Sequence, residues 1–143
     1  MLYIINMKIE IELNEDDYQK LLKISSYNKL DKEAYAKSII KRDLDSNVYL
    51  EYGYVYDLNK KSLIHDNDLI ILTSFEEQLF EYLIKNMDRY VSSDEIIENI
   101  FKTKPMSIFA MRNLIKKIRD KTHKDLIIMK SSVGYMIKKL SIN

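Results

Sequence analysis

The sequence predicts an α+β fold in two parts, and three observations support this. Near the start, hydrophobic and polar residues alternate at positions 8–13, and hydrophobic residues then recur at helical spacing to about residue 44. Further short alternating runs lie between residues 48 and 72, followed by three helical patterns and a pair of short strands. The charge is also divided, since residues 101–143 hold 11 Lys or Arg against 2 acids, whereas residues 48–100 hold 4 against 11.

The first part is predicted to be one strand followed by two helices. The strand is Lys8–Leu13, which alternates strictly between apolar and charged residues. Asn14 is placed to cap a helix that ends near Tyr27, and Asp31 is placed to cap a second helix that ends near Leu44. A lone strand leaves its backbone edge unpaired, and about 45 residues bury little apolar area. We therefore expect two copies of the chain to pair here.

The second part is predicted to be a small antiparallel sheet, three helices and a hairpin. Turn residues separate the strand segments, Thr73 is placed to cap the first helix, and Ser92 with Glu95 has the spacing of a capping box for the second. Pro105 and Ser107 precede the third helix. The predicted strands are Val48–Asp57, Ser62–His65, Leu69–Leu72, Ile127–Met129 and Tyr135–Ile137. The inner faces of the first and third helices are predicted to be Phe75, Leu79, Tyr82, Leu83 and Met87, and Ile108, Met111, Ile115 and Ile118.

Local motifs in this second part resemble the winged-helix DNA-binding domain of the OmpR/PhoB response-regulator family. The motifs, in order, are Leu72-Thr73-Ser74-Phe75-Glu76, Val91-Ser92-Ser93-Asp94-Glu95, Ile115-Lys116-Lys117-Ile118-Arg119-Asp120-Lys121 and Gly134-Tyr135. The resemblance covers Val48 to Leu140 and implies a winged helix-turn-helix with an N-terminal antiparallel sheet and a C-terminal hairpin. The chain departs from the family at Thr122, Ser131 and Ser132. We also expect no receiver domain ahead of this part, and hence no control by a sensor kinase.

The third helix and the hairpin tip are the predicted DNA-binding surface. An α-helix fits the major groove, and Lys, Arg and Asn supply donors there and to phosphates. We expect Asn113, Lys116 and Lys117 to approach base edges, and Arg112 and Arg119 to hold phosphates. The full predicted set is Arg112, Asn113, Lys116, Lys117, Arg119, Lys121, Lys130, Ser131 and Ser132. A solvated basic face without a partner is the alternative interpretation.

The first part resembles the ribbon-helix-helix family of Arc and CopG, in which strands of two chains pair. The resemblance is carried by Met7-Lys8-Ile9-Glu10-Ile11 and Asp31-Lys32-Glu33-Ala34-Tyr35, and implies a dimerisation domain at residues 1–46 ahead of a DNA-binding domain at 47–143. Glu10 and Glu12 on the exposed face of the ribbon would repel phosphates, so we assign this part to dimerisation and not to base reading. The predicted dimerisation residues are Ile9, Ile11, Leu13, Leu22, Tyr35 and Ile39.

The composition argues against several other classes of protein. The chain has no cysteine, only two glycines, and no apolar run near the ~20 residues of a membrane span. We see no catalytic set, and predict a cytoplasmic, bacterial, non-enzymatic protein without metal or cofactor. The predicted function is a homodimeric, sequence-specific regulator that binds double-stranded DNA. The alternative is an antitoxin-like adaptor or protein-interaction module, for which the resemblance implies RNA polymerase as a partner of the Lys102–Met106 loop.

Overall fold

The computed structural model describes residues 8–141 and divides into two compact units, Met1–Asp43 and Leu44–Asn143. The first unit holds two helices, α1 (Glu15–Tyr27) and α2 (Lys32–Ser46), of which the last turn of α2 belongs to the second unit. Asn14 caps α1, accepting a hydrogen bond from the Asp17 amide at 2.9 Å, and Asp31 accepts one from the Ala34 amide at 2.7 Å. Both predicted caps are therefore confirmed.

Two predictions about this unit differ from the structure. Residues 8–14 form neither helix nor strand, since no strand within residues 8–141 pairs with this segment. Met7 lies outside the described residues. No separate linker lies between the two predicted parts, because α2 runs through Ser46 and the next strand begins at Asn47. The boundary between the units accordingly lies three residues before the predicted one.

The first unit lacks an apolar core among its described residues. Ser25 is the one buried residue between positions 8 and 43, while Ile9 and Ile11 are 72% and 62% exposed. Leu22 and Tyr35 are half-buried, and Ile39 is exposed. The apolar faces predicted from the sequence are thus present but largely uncovered in a single chain.

The second unit opens with a four-stranded antiparallel sheet in the order β1-β2-β3-β4. Its strands are β1 (Asn47–Tyr49), β2 (Tyr54–Asp57), β3 (Ser62–His65) and β4 (Asp68–Ile70). The single strand predicted at 48–57 is in fact two strands that pair with each other across a 3-10 turn, Glu51–Gly53. Tyr52 and Gly53 both have positive φ there, a conformation that lets the chain reverse direction.

Three helices follow the sheet: α3 (Ser74–Lys85), α4 (Ser93–Ile100) and α5 (Ile108–Lys121). Their buried side chains form one core with the inner face of the sheet, including Leu63, Leu79 and Ile96. On α3 the predicted inner face is partly wrong, since Phe75 is 39% exposed and Phe80, which we did not predict, is fully buried. The structure therefore confirms the number and order of these helices. On the buried face of α3, Phe80 takes the place that was predicted for Phe75, beside Leu79 and Leu83.

A second, two-stranded sheet closes the unit: β5 (Ile127–Lys130) pairs with β6 (Gly134–Ile137). The predicted hairpin is confirmed. Val91, just before α4, exchanges two backbone hydrogen bonds with Tyr135 at 2.7 and 2.9 Å, which attaches β6 to the segment between α3 and α4. Leu140 donates to the carbonyl of Tyr49 at 3.2 Å, which ties the end of the described chain to β1.

Gly134 makes the attachment of the hairpin possible. Its φ is +150°, and a Cβ placed on it would lie 2.1 Å from the carbonyl oxygen of Val91. A side chain at this position would have to displace backbone atoms, because real Cβ contacts do not approach this closely. The structure therefore requires glycine at this position, and the next residue, Tyr135, is buried.

We predict that Gly134→Ala destabilises the full chain more than Gly53→Ala. The first change adds a clash with backbone to an unfavourable φ, on the order of 3 kcal/mol. Gly53 also has positive φ, but its nearest neighbour is the flexible His65 ring at 3.8 Å, so the matched change costs only about 1 kcal/mol. Urea unfolding of both variants measures the difference, and equal losses of stability would contradict the clash.

Candidate nucleic-acid interface

Helix α5 presents a polar face to solvent because a cap fixes where the helix begins and buried side chains fix which side packs against the core. Ser107 caps the helix, accepting a hydrogen bond from the Ala110 amide at 3.1 Å. Met111, Ile115 and Ile118 are buried against the core. Ile108, predicted to belong to this stripe, is 41% exposed, because it lies before the first buried turn and faces the hairpin.

The residues predicted to approach base edges lie on the exposed side of α5. At about 100° per residue, Asn113 projects almost directly away from the buried stripe, and Lys116 and Lys117 lie about 50° to either side of it. All three side chains are exposed. Arg112 is also exposed and lies on the opposite flank, toward the hairpin.

A groove of about 620 Å³ separates α5 from the β5–β6 hairpin, and we call it the wing groove. Its walls are the start of α4, one flank of α5 and the hairpin. The lining residues are Ser92, Ser93, Asp94, Ile108, Arg112, Ile115, Arg119, Met129, Lys130, Ser131, Ser132, Val133, Gly134 and Tyr135. The structure thus brings Arg112 from the helix and the predicted wing residues Lys130, Ser131 and Ser132 to the same groove.

The hairpin tip is exposed, and Lys130, the last residue of β5, is its basic residue. Lys130, Ser131 and Ser132 are all exposed, and Ser132 has a φ of +60° in the turn. The Lys130 ammonium lies 5.8 Å from the centre of the Tyr90 ring, a cation–π arrangement that holds it on the α4 side of the hairpin. Tyr90 was not predicted from the sequence, because 40 residues separate it from Lys130.

Arg119 differs from its prediction as a free phosphate ligand. Its Nε and Nη2 atoms donate to the carbonyl oxygen of Ile127 at 3.1 and 2.6 Å, and the side chain is half-buried. The guanidinium therefore ties α5 to β5 and has fewer donors left for a phosphate. Arg119 lies on the same flank of α5 as Arg112, the flank that faces the hairpin.

Lys121 also forms a contact within the domain. Its ammonium pairs at 2.6 Å with the carboxylate of Glu76, which is 1% exposed. Burial alone raises the pKa of Glu76, but the hydrogen bonds from Lys121 and from the Thr73 amide outweigh it and hold the pKa below the usual 4.5. Lys121 therefore compensates a buried charge, and we exclude it from the proposed DNA contacts.

A second carboxylate fixes the start of α4 at the edge of the interface. Ser92 caps this helix as predicted, but Glu95 does not complete the capping box. Its carboxylate instead accepts from both terminal nitrogens of Arg89 and from the Tyr82 hydroxyl, the last at 2.9 Å. These contacts lower the pKa of Glu95, and the hydrogen bonds from Arg89 contribute most. Desolvation by burial acts in the opposite direction but is outweighed.

Comparison with known proteins agrees with this geometry. The family model described as "Transcriptional regulatory protein, C terminal" matches residues 66–137, just over half of the chain. A probable transcriptional regulator, ycf27 of Guillardia theta, is 23% identical over 148 residues that cover 92% of this chain and 57% of that protein. The chain thus spans somewhat more than half the length of this relative.

Two solved structures show the same fold. The response regulator DrrB of Thermotoga maritima, an OmpR/PhoB homologue, matches with a TM-score of 0.57 at 20% identity over 76% of this chain and 53% of that chain. The DNA-binding domain of Klebsiella pneumoniae RstA, solved with the RstA box, matches with a TM-score of 0.55 at 12% identity over 64% of this chain and 96% of that chain.

The second unit is therefore a winged-helix domain of the kind found in transcriptional regulators. The chain belongs to the family of transcriptional regulatory proteins with an OmpR/PhoB-type C-terminal DNA-binding domain. The predicted resemblance of this unit is confirmed, and a regulator is the class of protein expected from the sequence. Among residues 8–141, no helix is long and apolar enough to cross a membrane.

We predict that Lys121→Met destabilises the full chain in a pH-dependent way. At about pH 7 the loss is on the order of 2 kcal/mol, because Glu76 keeps a buried charge without its cation and Lys121 itself is partly exposed. The lowered pKa of Glu76 means that the pair stabilises the wild type above pH 4.5 and that this contribution is lost as pH falls through the folded-state pKa.

Urea unfolding at about pH 7 and pH 4 tests this, since the difference between variant and wild type shrinks as Glu76 becomes protonated. Lys117→Met is the matched control, because Lys117 is exposed on the same helix and its loss changes stability little at either pH. An equal effect of Lys121→Met at both pH values would contradict the assigned pairing.

Proposed function

We propose that this protein is a sequence-specific regulator that binds double-stranded DNA as a homodimer. Helix α5 enters the major groove, Asn113, Lys116 and Lys117 approach base edges, and the hairpin lies beside the helix on the backbone. The main support for this proposal is the wing groove, where Arg112 of α5 faces the hairpin that presents Lys130. Cations on two separate elements suit a curved polyanion better than a flat basic face does.

The charge of the chain supports the same choice of partner. Residues 101–143 contribute 11 basic and 2 acidic residues, and this segment includes α5 and the hairpin. Each phosphate that a cation neutralises releases a condensed counterion, so such a surface attracts duplex DNA even before bases are read. The RstA domain, which shares the fold, was solved with a DNA box, and that fact supports the same partner here.

The first unit supports the homodimer. Its described residues bury no apolar side chain, and Ile9 and Ile11 lie in a segment that has no strand partner within residues 8–141. A second copy supplies both missing parts, because two such segments pair as an antiparallel ribbon and cover the apolar faces of α1 and α2. Leu13, Leu22, Tyr35 and Ile39 complete the proposed interface.

We expect Arg112→Ala to weaken binding to every duplex and to make log Kobs against log salt less steep by about one unit. Lys60→Ala is the matched control, since Lys60 is an exposed lysine in the turn between β2 and β3. It should leave both quantities unchanged. Fluorescence anisotropy at several salt concentrations measures them, and an affinity that does not depend on salt would favour the protein-interaction alternative.

We expect the double change Ile9→Asp and Ile11→Asp to convert the full chain from dimer to monomer, because four carboxylates per dimer would enter the apolar face of the ribbon. Glu10→Gln with Glu12→Gln is the matched control on the other face, and should leave both the dimer and DNA binding intact. Sedimentation velocity gives the result. A wild-type chain that sediments as a monomer at micromolar concentration would refute the dimer.

A further inference from the structure

Phe109 is a large aromatic side chain that the fold does not use. It is 80% exposed, more than any other Phe, Ile, Leu or Met of the second unit within residues 44–141. Its neighbours in the sequence have structural explanations, since Ser107 caps α5 and Met111 is buried in the core. A single exposed apolar residue is common on protein surfaces, so its position decides whether it matters.

The helical phase of α5 places Phe109 on the face that points away from the core. Measured around the axis from the buried stripe, Phe109, Asn113 and Lys116 all lie on the opposite side of the helix, within about 60° of one another. Successive residues of this row are separated by four and three positions, so their side chains are adjacent along the helix. Phe109 therefore extends the proposed base-reading row by one turn toward the start of α5.

The charge of this row indicates which end of the helix lies deepest in the groove. The next position along the same face is Asp120, an exposed carboxylate that phosphates and base acceptors repel. The end of α5 that carries Asp120 thus fits best away from the duplex. Recognition helices approach bases with their N-terminal residues, which places Phe109 closest to the base pairs.

One chemical group in the major groove matches a side chain of this kind. Base edges there present hydrogen-bond donors and acceptors, and the C5 methyl of thymine is the apolar exception. Building on the function proposed above, we propose that Phe109 is a specificity residue that contacts a thymine methyl group at one position of each half-site. Asn113 and Lys116 then read the polar edges of the adjacent base pairs.

Replacing thymine by uracil tests the proposal, because uracil lacks only the methyl group. The probe is a duplex selected by the full-length chain from a random pool, together with versions that carry uracil in place of one thymine at a time. At one position we expect the wild type to bind the uracil version about fourfold more weakly, the effect of burying one methyl group. Phe109→Ala should bind the two versions equally there.

Two further variants separate a contact from an indirect effect. Phe109→Leu keeps an apolar side chain and should retain a preference for thymine at the same position. Ile71→Ala removes a side chain that is 70% exposed in the loop between β4 and α3, and should leave the thymine preference of the wild type unchanged. Thermal unfolding of Phe109→Ala should match the wild type, since its side chain lies outside the core.

The possible failures are distinguishable. Salt-dependent binding with the same thymine-to-uracil ratio in wild type and Phe109→Ala at every position would overturn the role of Phe109 and leave the proposed function standing. A wild type that shows no preference for thymine at any position would overturn it as well. Failure of the full-length chain to enrich any duplex from the pool would instead defeat the proposed function, and with it this inference.

Discussion

The close approach of Gly134 to the backbone of Val91 is the contact on which the geometry of the interface depends. It lets Val91 and Tyr135 exchange two hydrogen bonds, which attaches the hairpin to the segment that leads into α4. The hairpin is thereby held at a fixed distance from α5, and the wing groove forms between them. A residue with a Cβ at position 134 would push β6 away from the Val91 backbone and weaken these hydrogen bonds, although position 134 itself makes none of the proposed DNA contacts.

Charge inside the domain serves two separate purposes. Lys121 and Arg119 have the same residue types as the exposed cations of α5, yet the first compensates Glu76 and the second binds the carbonyl of Ile127. Both contacts link α5 to another element and stabilise its orientation. Arg112 and Lys130, which face the wing groove, remain accessible to a phosphate backbone. A variant that loses affinity must therefore be checked for stability before its residue is counted as a contact.

The two units pose different physical problems. The second unit buries a continuous core between its sheet and three helices, whereas the described residues of the first bury no apolar side chain. Exposed apolar surface of that kind marks a site where another surface binds and removes it from water. A homodimer would place two winged helices on one DNA molecule, so that the effective concentration of the second is raised once the first has bound. Phe109 is likewise an exposed apolar side chain that no other described part of the domain covers. Its position on α5 favours duplex DNA as the surface that covers it.

Sequence alone determined the elements whose signals are local. Caps such as Asn14 and Ser92 and the buried residues Met111, Ile115 and Ile118 of α5 follow from spacings of three or four residues, and the structure confirms them. Tertiary structure decided whatever depended on distant partners. It split the strand predicted at 48–57, and it paired Lys121 with Glu76 across 45 residues. Helical periodicity shows which side of α5 is exposed, but it cannot show which exposed cation another element has already bound.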